Sequence, residues 1–233
     1  HMLKMLAHLL GDVEGQDFQR TQVSQAFRAK ADGAFLPSLI SKAEKIPAKS
    51  ILFNIDQKAT VITKDQSDAL LKVFVKVFDE SRGYFGNQGH VARFERELDN
   101  AGHYEQFQEA FQREAGKPWI EGRKEYITQG TKIDRAYAEV VGGDAPTNIL
   151  KQFSEDYSVS IEDFADEVAE WLKQQPDNFR LNFFVDEVGQ FIGDDTKLML
   201  NLQTIAETLN TKTQGRSWVF VTSQEDMDKI IGD

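Results

Sequence analysis

Residues 180–223 read RLNFFVDEVGQFIGDDTKLMLNLQTIAETLNTKTQGRSWVFVTS, and the order of patterns inside them decides the fold. RLNFFVD is a short, almost continuously apolar run, as a parallel strand buried on both faces requires. In TKLMLNLQTIAETLN, Leu198, Leu202, Ile205 and Leu209 recur at helical spacing. SWVFVTS repeats the strand pattern and is entered through Gly215. Strand, helix and strand in about 40 residues make a βαβ unit, whose ligand crevice lies at the carboxyl ends of its strands.

Working outward, KSILFNID packs β-branched and aromatic residues between Pro47 and Asp56, which predicts another buried strand. DALLKVFVKVF, from Asp68, puts Leu70, Leu71, Phe74, Val75 and Phe78 on one face of a helix. LKMLAHLL, with Leu3, Leu6, Leu9 and Leu10 at helical spacing and Gly11 after them, predicts a short helix. A polar segment and a second helical stretch near residues 34–43 follow it. VSIEDFADEVAEWLKQQP predicts a helix capped by Ser160, with Ile161, Phe164, Val168 and Trp171 as its buried stripe. Seven acids and no base lie between Lys151 and Lys173, as a solvated outer face or an acidic docking patch would have. Residues 79–157 are polar, Gly-punctuated and helical in pattern, without a strand signal. The expected organisation is an α/β core from residues 3–78 and 176–233, carrying a helical insertion over residues 79–175.

Composition narrows the function classes. Forty per cent apolar residues, with 17 Phe and 5 Pro, are those of a globular chain rather than a disordered one. No window nears the roughly 18 uninterrupted apolar residues of a membrane span, so a protein in solution with no membrane partner is expected. The absence of Cys excludes disulfides, thiolate metal sites and a Cys nucleophile, and it fits a reducing compartment, so a cytoplasmic location is expected. A formal charge of −11 and the lack of any Lys/Arg-rich stretch make DNA contact an indirect matter, or one for sequence beyond this chain. His1-Met2 reads as a remnant of tag cleavage with no signal-peptide n-region after it, and the chain is expected to begin inside a longer protein.

Chemistry concentrates at the two strand ends of the βαβ unit. RLNFFVD ends in Asp186 and Glu187, and the neighbouring strand ends in Thr222, Ser223 and Gln224, so both polar sets face one crevice. A nucleotide hydrolase needs this arrangement. One carboxylate holds Mg²⁺ through water, the next polarises the attacking water, and a hydroxyl on the adjacent strand senses the γ-phosphate. An Asp-Glu pair also begins many ordinary loops after a buried strand. No G-x-x-x-x-G-K-[ST] occurs, and AGKPW (115–119) lacks its first Gly and its hydroxyl. GYFGNQG (83–89) follows no strand and reads as a loop, His8, His90 and His103 fall in no metal-ligand spacing, and no G-x-S-x-G elbow is present.

FFVDEVGQFIGDDTKLMLNLQTIAETL followed by GRSWVFVTSQED closely resembles the Walker B to sensor region of the BrxC/PglY family, the large P-loop ATPases of bacteriophage-exclusion (BREX) systems. LKMLAHLL resembles the helix that follows the Gly-Lys-Ser P-loop in that family, so the chain is expected to start just after Walker A. At lower specificity the resemblance runs through ILFNIDQKA and the helical insertion. It implies a partial AAA+-like P-loop NTPase core, with RLNFFVD as the Walker B strand, WVFVTS as the sensor strand and ILFNID as the outer strand. It implies ATP and Mg²⁺ as ligands of the whole protein, with none expected on this piece alone. Asp186 then maps to the Mg²⁺-water ligand, Glu187 to the residue that positions water, and Thr222 and Ser223 to the sensor, with Gln224 less favoured. Asn54 is a second catalytic candidate that could hold Glu187 back from the nucleotide, or it could be an edge Asn satisfied by backbone. Phage defence with other BREX subunits, as an oligomeric motor or switch, is what the family implies. The rival expectation is a non-catalytic interaction module whose helical insertion docks partner subunits.

Overall fold

The computed structural model describes residues 2–15, 19–59, 68–193 and 195–222. The chain divides into two compact units, residues 1–77 with 159–233, and residues 78–158. The first unit opens with α1 (Met2–Leu10), β1 (Asp12–Val13), α2 (Arg20–Lys30), α3 (Phe35–Glu44), β2 (Ala48–Asn54), α4 (Ile55–Lys58) and most of α5 (Ala69–Ser81). The second holds α6 (Gly89–Asn100), α7 (Tyr104–Ala115), α8 (Trp119–Gly122), α9 (Gly130–Val141) and α10 (Ile149–Glu155). The chain then returns to the first unit with α11 (Ile161–Lys173), β3 (Arg180–Asp186), α12 (Val188–Ile192), α13 (Thr196–Lys212) and β4 (Ser217–Val221).

The four strands form one parallel sheet in the order β1-β2-β3-β4. Because side chains alternate across a strand, β3 serves two layers. Phe184 faces α1, where it packs with Leu3 and Ala7 and stacks on Phe220 at 4.5 Å between ring centroids. Phe183 faces the other way, against Phe74 of α5 at 5.3 Å and Phe164 of α11 at 6.2 Å. This double covering is why RLNFFVD carries no polar alternation. α1 is tied down by polar contacts as well: the Ser50 hydroxyl donates to Ala7 O, and the Asn182 amide donates to Leu10 O. Gly11 follows because a Cβ there would stand 2.5 Å from Ser50 Oγ.

Several elements differ from the sequence expectation. The boundary placed at 175/176 falls at 158/159 instead, because Phe164 commits α11 to the sheet. The buried residues of α11 are Phe164, Ala165, Val168 and Leu172. Ile161 lies at the margin, and Trp171 turns aside to meet the Phe179 ring edge-on at 5.7 Å. The Ser160 cap forms as expected, its hydroxyl accepting from Asp163 N at 3.0 Å. In α13 the buried set is Leu198, Leu202, Ile205 and Leu209, the four read from the spacing. β1 and α2 had no sequence signal. β1 is only two residues long, and α2 packs Val23 against Leu9 and Ile40 and is tied by Arg20, which donates to the carbonyls of Leu9, Ala43 and Ile46.

The second unit has its own core, in which Phe94, Phe107, Phe111 and Trp119 meet edge-on or tilted. At its centre Glu95 is fully buried and accepts four hydrogen bonds, from Phe85 N, Tyr104 Oη, Trp119 Nε1 and Arg123 Nη1. Burial, with that carboxylate beside it, pushes the Tyr104 phenol well above its usual range and keeps it a donor. Among the described residues no helix is long and apolar enough to cross a membrane.

Candidate functional site

Parallel pairing in register brings three strand ends level. Asn54, the last residue of β2, is the partner of Asp186, the last residue of β3, and Val221 at the end of β4 pairs with Val185. The chain beyond each strand then turns so that polar side chains meet.

Thr222 is fastened to β3 through its backbone, its N–H donating to Val185 O at 3.1 Å and its carbonyl accepting from Val188 N at 3.0 Å. Its hydroxyl donates to Asp186 Oδ1. The same oxygen accepts Glu187 N at 3.1 Å. Asp186 is exposed and Glu187 half-buried. The Asp186 carboxylate is therefore oriented through Oδ1.

Glu187 occupies the left-handed region, with φ 62° and ψ 33°, at the N-cap of α12. A non-glycine residue pays about 1–2 kcal/mol for this conformation. Such residues persist where surrounding contacts over-determine them, and they cluster at functional sites. Here the contacts on either side are the Glu187 N–H on Asp186, the Val188 N–H on Thr222 and the side chain's own partner, Asn54.

Asn54 engages a carboxylate and the backbone at once. Its Oδ1 caps the short helix α4 by accepting Gln57 N at 3.1 Å, and its Nδ2 donates to Glu187 Oε2. The backbone N–H can only be met by the amide oxygen, so the nitrogen is left facing the carboxylate. Capping thus orients the group that grips Glu187.

The structure brings Asn54, Asp186, Glu187 and Thr222 together at one edge of the sheet. Ser223 and Gln224 lie outside the described residues. Sequence reasoning missed the left-handed backbone at Glu187, for which a Gly or Asn would have been the signal, and it missed the engagement of the Thr222 hydroxyl by Asp186. Among the described residues no three His, Cys, Asp or Glu side chains converge as a metal cage. A hard divalent cation such as Mg²⁺ takes oxygen ligands, keeps several waters and needs only one or two carboxylates. An exposed, oriented strand-end carboxylate fits that donor chemistry, and Asp186 is the residue that offers it. No protein-family model matches the chain, and no solved structure matches it.

Proposed function

We propose that this chain supplies the Walker B and sensor elements of an AAA+-like P-loop ATPase of the BREX phage-defence type, acting in the cytoplasm with other subunits of that system. One observation carries the reading: a metal-suited carboxylate, a second carboxylate held by an amide, and a hydroxyl on the adjacent strand meet at the carboxyl ends of a parallel sheet. The 233 residues contain no G-x-x-x-x-G-K-[ST] phosphate cradle, and this reading requires one from another segment. On this reading residues 78–158, which form a compact unit of their own, are the helical insertion.

In this function Asp186 would hold Mg²⁺, and the ion would supply charge neutralisation on the phosphates of ATP. Glu187 orients the attacking water and draws off its proton. Asn54 is a positioning residue: while its amide occupies Glu187 Oε2, the carboxylate is committed away from water, and its release makes Glu187 available as a base. Thr222 holds Asp186 in place through Oδ1 and is the hydroxyl through which the adjacent strand responds to the nucleotide.

The test uses a longer protein carrying a Gly-Lys-Ser P-loop ahead of α1. Glu187→Gln should slow single-turnover ATP hydrolysis by about 10²- to 10⁴-fold with nucleotide affinity retained. Asp186→Asn should lose turnover and Mg²⁺-dependent affinity together. Parent-rate hydrolysis by Glu187→Gln would return the pair to the status of a polar strand end.

A second reading, a non-catalytic module that docks partner subunits, is favoured by the separate core of residues 78–158 and by Ile120 and Ile127 exposed upon it. Absence of ATP binding by the P-loop-bearing protein would favour it.

A further inference from the structure

Helices α1, α2 and α3 enclose an open groove of about 480 Å³ lined almost entirely by apolar side chains, among them Met5, Leu9, Phe27, Leu36 and Ile40. The exposed face of α3 extends it: Phe35 is 79% exposed, Leu36 49% and Leu39 43%, with Ile46 continuing the row beyond the helix. Single exposed apolar residues are ordinary, whereas apolar side chains gathered along a groove are the kind of surface that binds a partner.

The charges around it have the opposite sign to the rest of the molecule. Residues 2–10 and 19–46 contain six Lys and Arg against two acids, in a chain of net charge −11. Glu44 is engaged by Ser24 and Arg28, and Arg20 by backbone carbonyls; outside those contacts stand Lys4, Lys30, Lys42 and Lys45 against Asp32. Lys30 lines the groove, and Lys42 stands on the exposed row of α3 between Leu39 and Ile46.

We propose that this groove docks an amphipathic helix of a partner protein, presenting an apolar stripe at i, i+3 or i+4 and i+7 flanked by Asp and Glu. Walls made of three helices, with no strand edge among them, suit helix-in-groove recognition rather than strand addition. Lys30 and Lys42 select acidic flanks, and Met5 gives the lining an adaptable side chain. A second copy of this chain is a poor occupant. Its most acidic amphipathic helix, α11, already spends its stripe on the sheet through Phe164 and Val168. The inference stands apart from the nucleotide chemistry at the strand ends.

As a free peptide, however, the α11 sequence VSIEDFADEVAEWLKQQ (159–175) has the required pattern and serves as a probe. Titrated with the intact chain in low salt, a fluorescently labelled form should bind saturably. Binding should weaken at least tenfold with Leu36→Asp and with Lys30→Glu, and also when the five acids of the peptide are changed to Lys. Circular dichroism melts of both variants should match the parent, and Phe35→Asp, at an exposed position, provides a second variant with little risk to folding. Absence of saturable binding overturns the proposal. So does equal binding of the charge-reversed peptide, or unchanged affinity in the groove variants. If sedimentation shows the chain dimerising through this face, with Leu36→Asp abolishing the dimer, the occupant is a second copy and the proposal is likewise overturned.

Discussion

At Glu187 a single residue carries two opposing demands. The side chain needs a carboxylate for its contact with Asn54, while the backbone, at φ 62°, needs a residue without a Cβ. The two demands separate experimentally. Glu187→Ala and Glu187→Gly both delete the carboxylate, and they differ only in the cost of the left-handed conformation and in unfolded-chain entropy. At an ordinary position Gly is the less stable of the two. Here the Gly variant should be the more stable, by about 1 kcal/mol in urea unfolding. Equal stability, or a more stable Ala variant, would show that the turn relaxes and that Glu187 is not held against its preference.

At the scale of an element, α6 shows how a polar residue can organise a helical unit. Glu95 points into the core of residues 78–158, where its two oxygens collect a backbone N–H, a phenol, an indole N–H and a guanidinium. A buried carboxylate costs several kcal/mol of desolvation, which four donors offset only as a set. Removing the acceptor leaves the Arg123 charge and the Trp119 N–H without it. Glu95→Ala should therefore destabilise this unit by about 3–5 kcal/mol, more than a cavity of the same size in an exposed helix would. Chemical unfolding followed by the fluorescence of Trp119 measures it, with Trp171 and Trp218 replaced by Phe. A loss below 1 kcal/mol would mean that the donors find water instead.

At the scale of the whole molecule, pH acts through two terms of opposite sign. Lowering pH from 7.5 to 5 reduces the negative charge of a chain with a sequence pI near 4.9, which relieves self-repulsion. Against this stands His90, buried beside the Tyr126 ring in a cavity it shares with Asp134 and Lys151; burial holds its pKa below the ordinary histidine value. A base whose folded pKa is depressed contributes stability that is present above about pH 6.5 and is lost as pH falls through the folded value. His8, also lowered by burial with Lys4 nearby, acts in the same direction. His90→Gln, which does not titrate, should lose less melting temperature between pH 7.5 and 5 than the parent does. An identical pH dependence would show that His90 is as free to protonate in the fold as in the unfolded chain.

Much of the first unit was legible because its signals are local. Continuous apolar runs marked β2, β3 and β4, a 3.6-residue period marked α1, α5 and α13, and strand order placed Asp186, Glu187 and Thr222 at one end of a sheet. Elements lacking such a period escaped. α2 is held by three carbonyls that Arg20 reaches from 11, 23 and 26 residues away, and α11 changed unit because Phe164 found Phe74 and Phe183. The sequence by itself determined which residues are chemically able to form a site, since that depends on residue type and position along a strand. Only the tertiary structure decided how they are engaged. Asn54 and Glu187 are 133 residues apart, and their contact exists because two strands pair in one register while a helix cap turns the amide. Register and backbone sign at a turn are settled by the packing of distant segments, which no single stretch of sequence contains.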